Sequence, residues 1–371
     1  MGSSTRGARG DGCNAGPAVS EDVWSARDTS PDAIESALRE LLRERHAANH
    51  ALAPARVLNL VVIVDREWKG EIANRLERVG RYHASRTVLC AVERGRETLD
   101  AVVVMSYQEP EDGGIGVIHE QLEIEIGPEH LGGLETIVDP VVVSEIPTLL
   151  WSPHGHDEAV QALLKLTDVM LIDSDDQLES SAALARATEL LDSAYVVDLA
   201  WLRTTPWRER LAASFDPPAR RAALAQISGL TVRHRASSNA SALLLAGWLA
   251  SRLRWEPVSL RSENGSGTVT GTARRDGEGV KIELAPIDQE APGLAGVTVS
   301  CACGFSLSLD RATGGLKARE RSPKGEERVW HVLGASRGEG GILGQGVRQA
   351  LLRDPTYGPA LSAARGFAND G

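Results

Sequence analysis

The chain has 371 residues, of which 42% are hydrophobic and 25% charged, and its formal net charge is −11 at pH 7. This length suits two domains of ordinary size, and the composition is that of a globular protein. The acidic balance argues against nucleic acid as a main partner, because binding phosphates needs a basic face. No stretch reaches the roughly 20 apolar residues of a membrane span, so no membrane is expected as a partner.

The first 29 residues are rich in Gly, Ser, Ala and Asp and lack an apolar core, which argues against a secretory signal. We therefore predict a disordered tail over residues 1–29. The chain has four cysteines, which are too few and too scattered for a disulfide framework. This usage fits a reducing compartment, and we expect a cytoplasmic protein.

Strands and helices alternate over the next part of the chain. A helix is predicted to begin at Ser30, with Pro31 at its first position. The nearly continuous apolar run 57–64 predicts a strand covered on both faces. Further strands are predicted near residues 87–92, 99–106, 119–126, 148–151, 169–173 and 194–199, with helices near 67–79, 131–143, 157–166 and 177–192. This order predicts an α/β N-terminal domain with a mainly parallel sheet over residues 30–200.

The pattern changes after residue 216. The segment 240–253 is apolar almost all round and predicts a buried helix. From 256 to about 332 the chain is predicted to form short strands, broken by turns at Asn264-Gly265 and Asp276-Gly277. We therefore expect an α+β C-terminal domain with a mainly antiparallel sheet over residues 201–356, then a loose tail over 357–371. The join is expected between residues 195 and 228.

The residues offer no coherent catalytic site. A nucleotide enzyme of this layout needs a Gly-rich turn after its first strand, but Val64 is followed by Asp65-Arg66-Glu67. His154 and His156 lack a third metal ligand in sequence, and we interpret them as part of a solvated loop. We therefore predict no catalytic residue, no cofactor and no metal, and expect that the chain is not an enzyme.

Cys301 and Cys303 are separated by one residue and would lie on the same face of a strand. Such neighbours form a disulfide only with strain. Two reduced thiols are therefore the favoured interpretation, and a redox pair is the alternative.

One segment, residues 198–211, combines tryptophan with arginine in an otherwise acidic chain. It is predicted to leave a strand and enter a helix, with Thr205 as the N-cap and Pro206 as the first helical residue. Its side chains suit an acidic protein partner or a phosphorylated ligand. The alternative is that both tryptophans pack the domain junction while the arginine side chains are solvated. The candidate partner-binding residues are Trp201, Arg203, Thr205, Trp207, Arg208 and Arg210.

This segment resembles the glucose-6-phosphate dehydrogenase assembly protein family, OpcA. The similarity lies in Asp198-Leu199-Ala200-Trp201-Leu202-Arg203, in Thr205-Pro206-Trp207-Arg208 and in the Leu-Ala-Gly-Trp-Leu helix at 245–249. Shorter similar blocks stand at 55–62, 83–88 and 146–151, so the resemblance covers roughly residues 30–260. The chain departs from the family where Ala84-Ser85 replaces a common Cys or Pro before Arg86, and where Ser152-Pro153-His154 replaces a second Trp and a Gly-containing turn near Trp151.

The resemblance implies a non-catalytic bacterial protein of the oxidative pentose phosphate pathway. Such a protein would bind glucose-6-phosphate dehydrogenase, promote its active oligomer and tune its activity. The NADP and the sugar phosphate would belong to the partner. The residues also leave open a small-molecule sensor that binds a sugar phosphate or nucleotide at the sheet ends, near His154 and Arg203.

Overall fold

The computed structural model describes residues 3–6, 19–50, 52–54, 56–80, 85–108, 116–262, 267–333 and 339–368. The chain divides into two compact units, Met1–Leu171 and Ile172–Gly371. The first unit therefore ends before the predicted join at 195–228.

The first unit is a mixed sheet with helices. Its strands are β1 Ser3–Arg6, β2 Val19–Ala26, β3 Leu52–Pro54, β4 Leu58–Asp65, β5 Ser85–Val92, β6 Asp100–Gln108, β7 Gly116–Ile126, β8 Thr148–Trp151 and β9 Val169–Ile172. Its helices are α1 Pro31–Ala48, α2 Lys69–Gly80, α3 Leu134–Val138 and α4 Asp157–Leu163. Ser30 accepts a hydrogen bond from the backbone N–H of Ala33, so the predicted start of α1 is confirmed.

In this sheet the strands follow the order β1-β2-β6-β7-β5-β4-β8-β9, with β3 beside β7. The pairs from β7 to β9 are parallel, and their central strands β4 and β5 are almost wholly buried, as the apolar runs predicted. The pairs β1-β2, β2-β6 and β6-β7 are antiparallel. The prediction of a mainly parallel sheet therefore holds for one part of it.

Strand β2 corrects the prediction of a disordered tail over residues 1–29. Its residues 19–26 pair with β6 along their whole length, and the carboxylate of Asp22 forms an ion pair with Arg45 of α1. Composition missed this strand because its side chains are largely small or charged. Its stability comes from pairing with β6 rather than from its own hydrophobicity. Cys13 lies outside the described residues.

Within its described residues, the second unit carries a sheet of eight strands. These are β11 Ile227–Arg235, β12 Arg261–Ser262, β13 Val269–Arg275, β14 Glu278–Ile287, β15 Leu294–Cys301, β16 Ser306–Ala312, β17 Gly315–Arg321 and β18 Glu327–Leu333. Their order is β12-β13-β14-β11-β15-β16-β17-β18. The β11-β14 pair is parallel and the other pairs are antiparallel, so the prediction of a mainly antiparallel sheet is confirmed.

Turn chemistry explains one of the predicted breaks in this sheet. Asp276 and Gly277 join β13 to β14 with φ of 49° and 86°. Two left-handed residues make the tight turn that an Asp-Gly pair favours. The other predicted turn, Asn264-Gly265, lies outside the described residues.

The described residues of the second unit also form strand β10 and six helices. They are β10 Tyr195–Asp198, α5 Ser180–Leu191, α6 Leu199–Phe215, α7 Pro218–Leu224, α8 Asn239–Leu253, α9 Glu339–Gln349 and α10 Tyr357–Ala368. Helix α8 is buried over most of its surface, as predicted. No helix in the described part of the chain is long and apolar enough to cross a membrane.

Helix α10 corrects the prediction of a loose tail from residue 357. Tyr357, Leu361 and Phe367 are buried. A Cβ at Gly247 of α8 would lie 2.2 Å from the backbone oxygen of Ala360, so the two helix backbones approach closely. Small residues that gave little hydrophobic signal in the sequence are what allow this close packing.

Candidate functional site

The tryptophan- and arginine-rich segment supplies the N-cap and about the first three quarters of helix α6, which has 17 residues. Its N-cap is Asp198, whose carboxylate accepts a hydrogen bond from the backbone N–H of Ala200 at 2.9 Å. The predicted cap at Thr205 is therefore wrong, and Pro206 lies inside the helix. The helix tolerates this proline at the cost of one backbone hydrogen bond, the one that Leu202 would otherwise accept.

Trp201 and Arg208 form the centre of the segment. The Arg208 guanidinium carbon lies 3.5 Å from the centre of the Trp201 ring, a cation–π contact. The same guanidinium donates to the hydroxyl of Thr204 and to that of Thr205, each at 2.9 Å. Burial lowers the pKa of Arg208 to about 10, against the opposing charge of Asp354. Arg208 therefore remains charged at neutral pH and is held in place by its own helix.

Asp354, between α9 and α10, closes this cluster from the other side. Its carboxylate accepts the indole N–H of Trp201 at 2.9 Å and the N–H and O–H of Thr356 at 2.8 and 2.6 Å. Burial alone would raise the pKa of Asp354, but these hydrogen bonds and the charge of Arg208 hold it below its usual value. A partly buried negative charge is stabilised by such donors.

Arg203 lies on another face of α6 and binds Asp173 with two parallel hydrogen bonds of 2.7 and 2.6 Å. Asp175 lies 3.7 Å from the same guanidinium and accepts hydrogen bonds from the N–H and O–H of Ser241 at 3.0 and 2.6 Å. Burial and the charge of Asp173 raise the pKa of Asp175 to about 7. The result is a buried cluster whose charge state changes near neutral pH.

Asp198 belongs to the same buried network. Its carboxylate accepts the hydroxyl of Ser174 at 2.7 Å and that of Tyr357 at 3.0 Å. Burial, with the charge of Asp173 added, raises the pKa of Asp198 to about 6. Asp198 thus caps α6 and fixes the start of α10 with one side chain.

Most of the candidate partner-binding residues are buried or already bonded within the second unit. Trp201 and Trp207 are 2% and 1% exposed, so neither ring is available as a surface anchor in the folded chain. Arg203 and Arg208 are occupied by partners inside their own unit, and Thr205 accepts from Arg208. Arg210 is partly exposed, and its guanidinium has no carboxylate partner among the described residues.

The two cysteines occupy a tight turn. Cys301 ends β15 and Cys303 lies in the connection to β16, closed by a hydrogen bond from the Gly304 N–H to the Cys301 oxygen at 3.0 Å. Both thiols are free. Burial and the neighbouring Cys303 raise the pKa of Cys301 to about 12, which keeps its thiol protonated. This environment favours the reduced-thiol interpretation.

In the first unit, the carboxyl ends of β4, β5 and β7 share one edge of the sheet, the position where α/β proteins bind ligands. Lys69 lies 2.7 Å from Glu123 and 2.8 Å from Glu125. Arg96 lies 3.0 Å from Glu125 as well. Burial would raise the pKa of Glu125, but Lys69 and the nearby arginines lower it. The cations at this edge are thus neutralised by the chain's own carboxylates.

The histidine loop of this unit also makes internal contacts. His154 Nδ1 accepts the backbone N–H of Asp65 at 3.0 Å, and His156 Nε2 lies 3.1 Å from the Asp65 carboxylate. The side chains of His154 and His156 are 22% and 12% exposed, so this loop is less solvated than the sequence indicated. Across the described ranges, no group of three His, Cys, Asp or Glu residues is arranged to hold a metal ion.

Known proteins share segments with this chain. Residues 76–189 match the model of a glucose-6-phosphate dehydrogenase subunit N-terminal domain, and residues 194–361 match the model of the corresponding C-terminal domain. The chain is 35% identical over 165 residues to a putative OxPP cycle protein OpcA of Synechococcus elongatus, a match that covers 43% of this chain and 37% of the relative. It is 33% identical over 165 residues to the protein of the same name in Nostoc punctiforme, covering 43% of this chain and 35% of the relative. The chain therefore spans little more than a third of the length of these relatives.

Solved structures give a weaker likeness. An oxidoreductase of Sinorhizobium meliloti superposes with a TM-score of 0.46 at 12% identity, over 84% of this chain and 94% of that chain. The transcriptional regulator Gal80p of Kluyveromyces lactis gives 0.47 at 8% identity, over 84% and 88%. Scores at this level carry no argument about function. The two domain matches together span most of residues 76–361, and the chain therefore belongs to the OpcA family of glucose-6-phosphate dehydrogenase assembly proteins.

Proposed function

We propose that this chain is a non-catalytic accessory protein that binds glucose-6-phosphate dehydrogenase, promotes its active oligomer and so tunes the oxidative pentose phosphate pathway. The observation that carries the proposal is the match of both parts of the chain to the domain models of a glucose-6-phosphate dehydrogenase subunit. In this role the chain acts in the cytoplasm, and NADP and glucose 6-phosphate bind the partner.

The sheet edge of the first unit supports an accessory role. In a dinucleotide-binding protein, backbone N–H groups of a Gly-rich turn meet the phosphates at this edge. Here β4 is followed by a 3-10 turn at Arg66–Trp68, and the Lys69 ammonium behind it is bound by two glutamates. A phosphate would have to compete with these carboxylates for the same cation.

The alternative of a sugar-phosphate sensor that uses Arg203 receives no support from the geometry. Arg203 donates two hydrogen bonds to Asp173, and Asp175 lies close on the same side. Binding a phosphate there would require breaking a bidentate buried pair, which leaves Asp173 uncompensated. We therefore assign Arg203 to the stability of the second unit.

The mechanism follows from differential affinity. If the chain binds the active oligomer of the dehydrogenase more tightly than the inactive form, the population shifts toward the active one. A tenfold shift requires a difference of about 1.4 kcal/mol in binding free energy. Trp201, Arg203 and Arg208 would contribute by fixing α6 rather than by touching the partner.

The proposal is tested with purified dehydrogenase and this full chain. We expect the chain to raise the mass of the dehydrogenase oligomer and to change its kinetics. Calorimetry of the chain alone with glucose 6-phosphate and with NADPH should give no binding heat. Binding heat with either ligand, together with an unchanged dehydrogenase, would instead favour the sensor.

A further inference from the structure

A cleft of about 270 Å³ lies in the second unit between α6, α7 and one end of the sheet. It has an apolar floor and arginines around it. The lining residues are Arg210, Ala213, Ser214, Arg220, Leu309, Ala318, Arg328, Trp330 and Val332. Among these described residues none is acidic, although the chain as a whole carries a net charge of −11.

Two of the three arginines are not neutralised. Arg220 is fixed by Glu320 at 2.8 Å and by the backbone oxygen of Ser214 at 3.1 Å. Neither Arg210 nor Arg328 has a carboxylate within ion-pair distance in the described ranges. Arg210 and Arg328 can therefore form ion pairs with carboxylates of another protein.

One wall of the cleft is formed by β18, an edge strand of the sheet. β18 pairs with β17 on one side and stands last in the strand order, with no strand beyond it in the described chain. Such an edge presents unpaired backbone N–H and C=O groups to a further strand. Val329 on β18 is 47% exposed, and Trp330 is partly exposed over the cleft, beside Arg328. Tryptophan and arginine at a surface of this kind are the residue types that dominate binding energy at interfaces.

We propose that this cleft and the β18 edge bind an extended acidic segment of the partner protein. The segment would lie along β18, its carboxylates would pair with Arg210 and Arg328, and an apolar side chain would pack on Trp330. The proposal rests on the proposed function, which supplies glucose-6-phosphate dehydrogenase as the partner. It retains Arg210 from the sequence-based candidates and adds Arg328 and Trp330.

The test is the affinity of the full chain for purified glucose-6-phosphate dehydrogenase, measured for wild type and two double variants. The first is Arg210→Glu with Arg328→Glu. The matched control is Arg274→Glu with Lys281→Glu, on strands β13 and β14. Both control side chains are exposed, and their strands lie at least five places from β18 in the strand order of the sheet. The two variants change the net charge equally.

We expect the cleft variant to bind at least tenfold more weakly, and the control to bind within about threefold of wild type, since exposed charges far from an interface mainly change long-range attraction. Equal losses in both variants would show a general charge effect and overturn the proposal. Equal binding by wild type and the cleft variant would overturn it while leaving the proposed function intact. Failure of wild type to bind the dehydrogenase would overturn both.

Hydrogen exchange on wild type gives a readout that needs no variant. Amides of residues 327–333 should exchange more slowly when the dehydrogenase is bound, because strand addition pairs the free edge. Unchanged exchange there in a formed complex would overturn the proposal. So would binding of inorganic phosphate that is lost in the cleft variant while its dehydrogenase binding is retained, since that assigns the cleft to a small anion.

Discussion

Replacing Asp175 by Asn should make the second unit more stable at alkaline pH. The buried carboxyl of Asp175 has a pKa of about 7, against an ordinary value of 3.8. Because folding raises the pKa of Asp175, protonation of this carboxyl stabilises the folded state. That stabilisation is complete below the ordinary pKa of 3.8 and is lost as the pH rises through the folded pKa of about 7. At about 1.4 kcal/mol for each pH unit between the two values, ionisation costs up to about 4 kcal/mol by pH 8.

An asparagine retains the shape of this side chain without the charge. Its amide oxygen can accept the Ser241 N–H, and its NH₂ can donate to the Ser241 hydroxyl. That hydroxyl then donates to the Ala200 backbone oxygen, which lies 3.1 Å away. All the polar groups thus keep partners, which limits the cost of the change.

The assay is urea unfolding at pH 5, 6, 7 and 8, followed by tryptophan fluorescence. We expect the Asp175→Asn variant to have a free energy of unfolding at least about 1 kcal/mol above that of wild type at pH 8, with a gain that shrinks toward pH 5. The exposed Asp288, replaced by Asn, serves as the control and should leave the pH profile unchanged. If Asp175→Asn is less stable than wild type at every pH, with an unchanged slope, the buried carboxyl does not titrate as described.

Single contacts elsewhere lead to three more expectations. Trp201→Ala removes the ring under Arg208 and should lower the free energy of unfolding of the second unit by about 3–5 kcal/mol in a denaturant titration. A decrease of less than about 1 kcal/mol would show that Trp201 is not at the centre of this packing. Arg86→Met removes one of the two arginines that pair with the buried Glu120 and should lower the free energy of unfolding by about 3 kcal/mol, measured as a lower Tm. An unchanged Tm would show that the ion pair of Arg86 with Glu120 does not stabilise the fold. Iodoacetamide at pH 8 should label Cys301 slowly in the folded chain and rapidly after denaturation, because its pKa of about 12 keeps the thiol protonated; equal rates would show that the thiol is accessible and ionised.

The sequence predicted the elements whose signal is local. The apolar runs of β4 and β5, the Ser30-Pro31 start of α1 and the Asp276-Gly277 turn each carry their structure in a few neighbouring residues. Strand β11, the central parallel partner in the second sheet, was not predicted, because Gly229 and the buried His234 interrupt the alternation of apolar and polar residues in it. Its pairing with β14 and β15 stabilises it, and pairing between distant strands is not visible in local composition.

A helix was predicted in the candidate partner-binding segment, but its start was placed too late in the chain. Thr205-Pro206 has the pattern of a helix start, and Asp198 was the true cap, earlier in the chain. Asp173 and Asp175, which follow β9, are the acidic neighbours of Arg203. The separation of 30 residues between Asp173 and Arg203 concealed this pair in the sequence. Arg328 and Trp330 lie far along the chain from Arg210, so only the fold brings this cleft together.

The action of this chain on glucose-6-phosphate dehydrogenase can be measured in a single titration. The mass distribution and the activity of purified dehydrogenase are recorded together, without the chain and with it at increasing concentration. We expect the active oligomer to become more populated and the activity to rise in parallel, saturating at a defined ratio of the two proteins. A mass distribution and kinetics that remain unchanged at every concentration would contradict the proposed function.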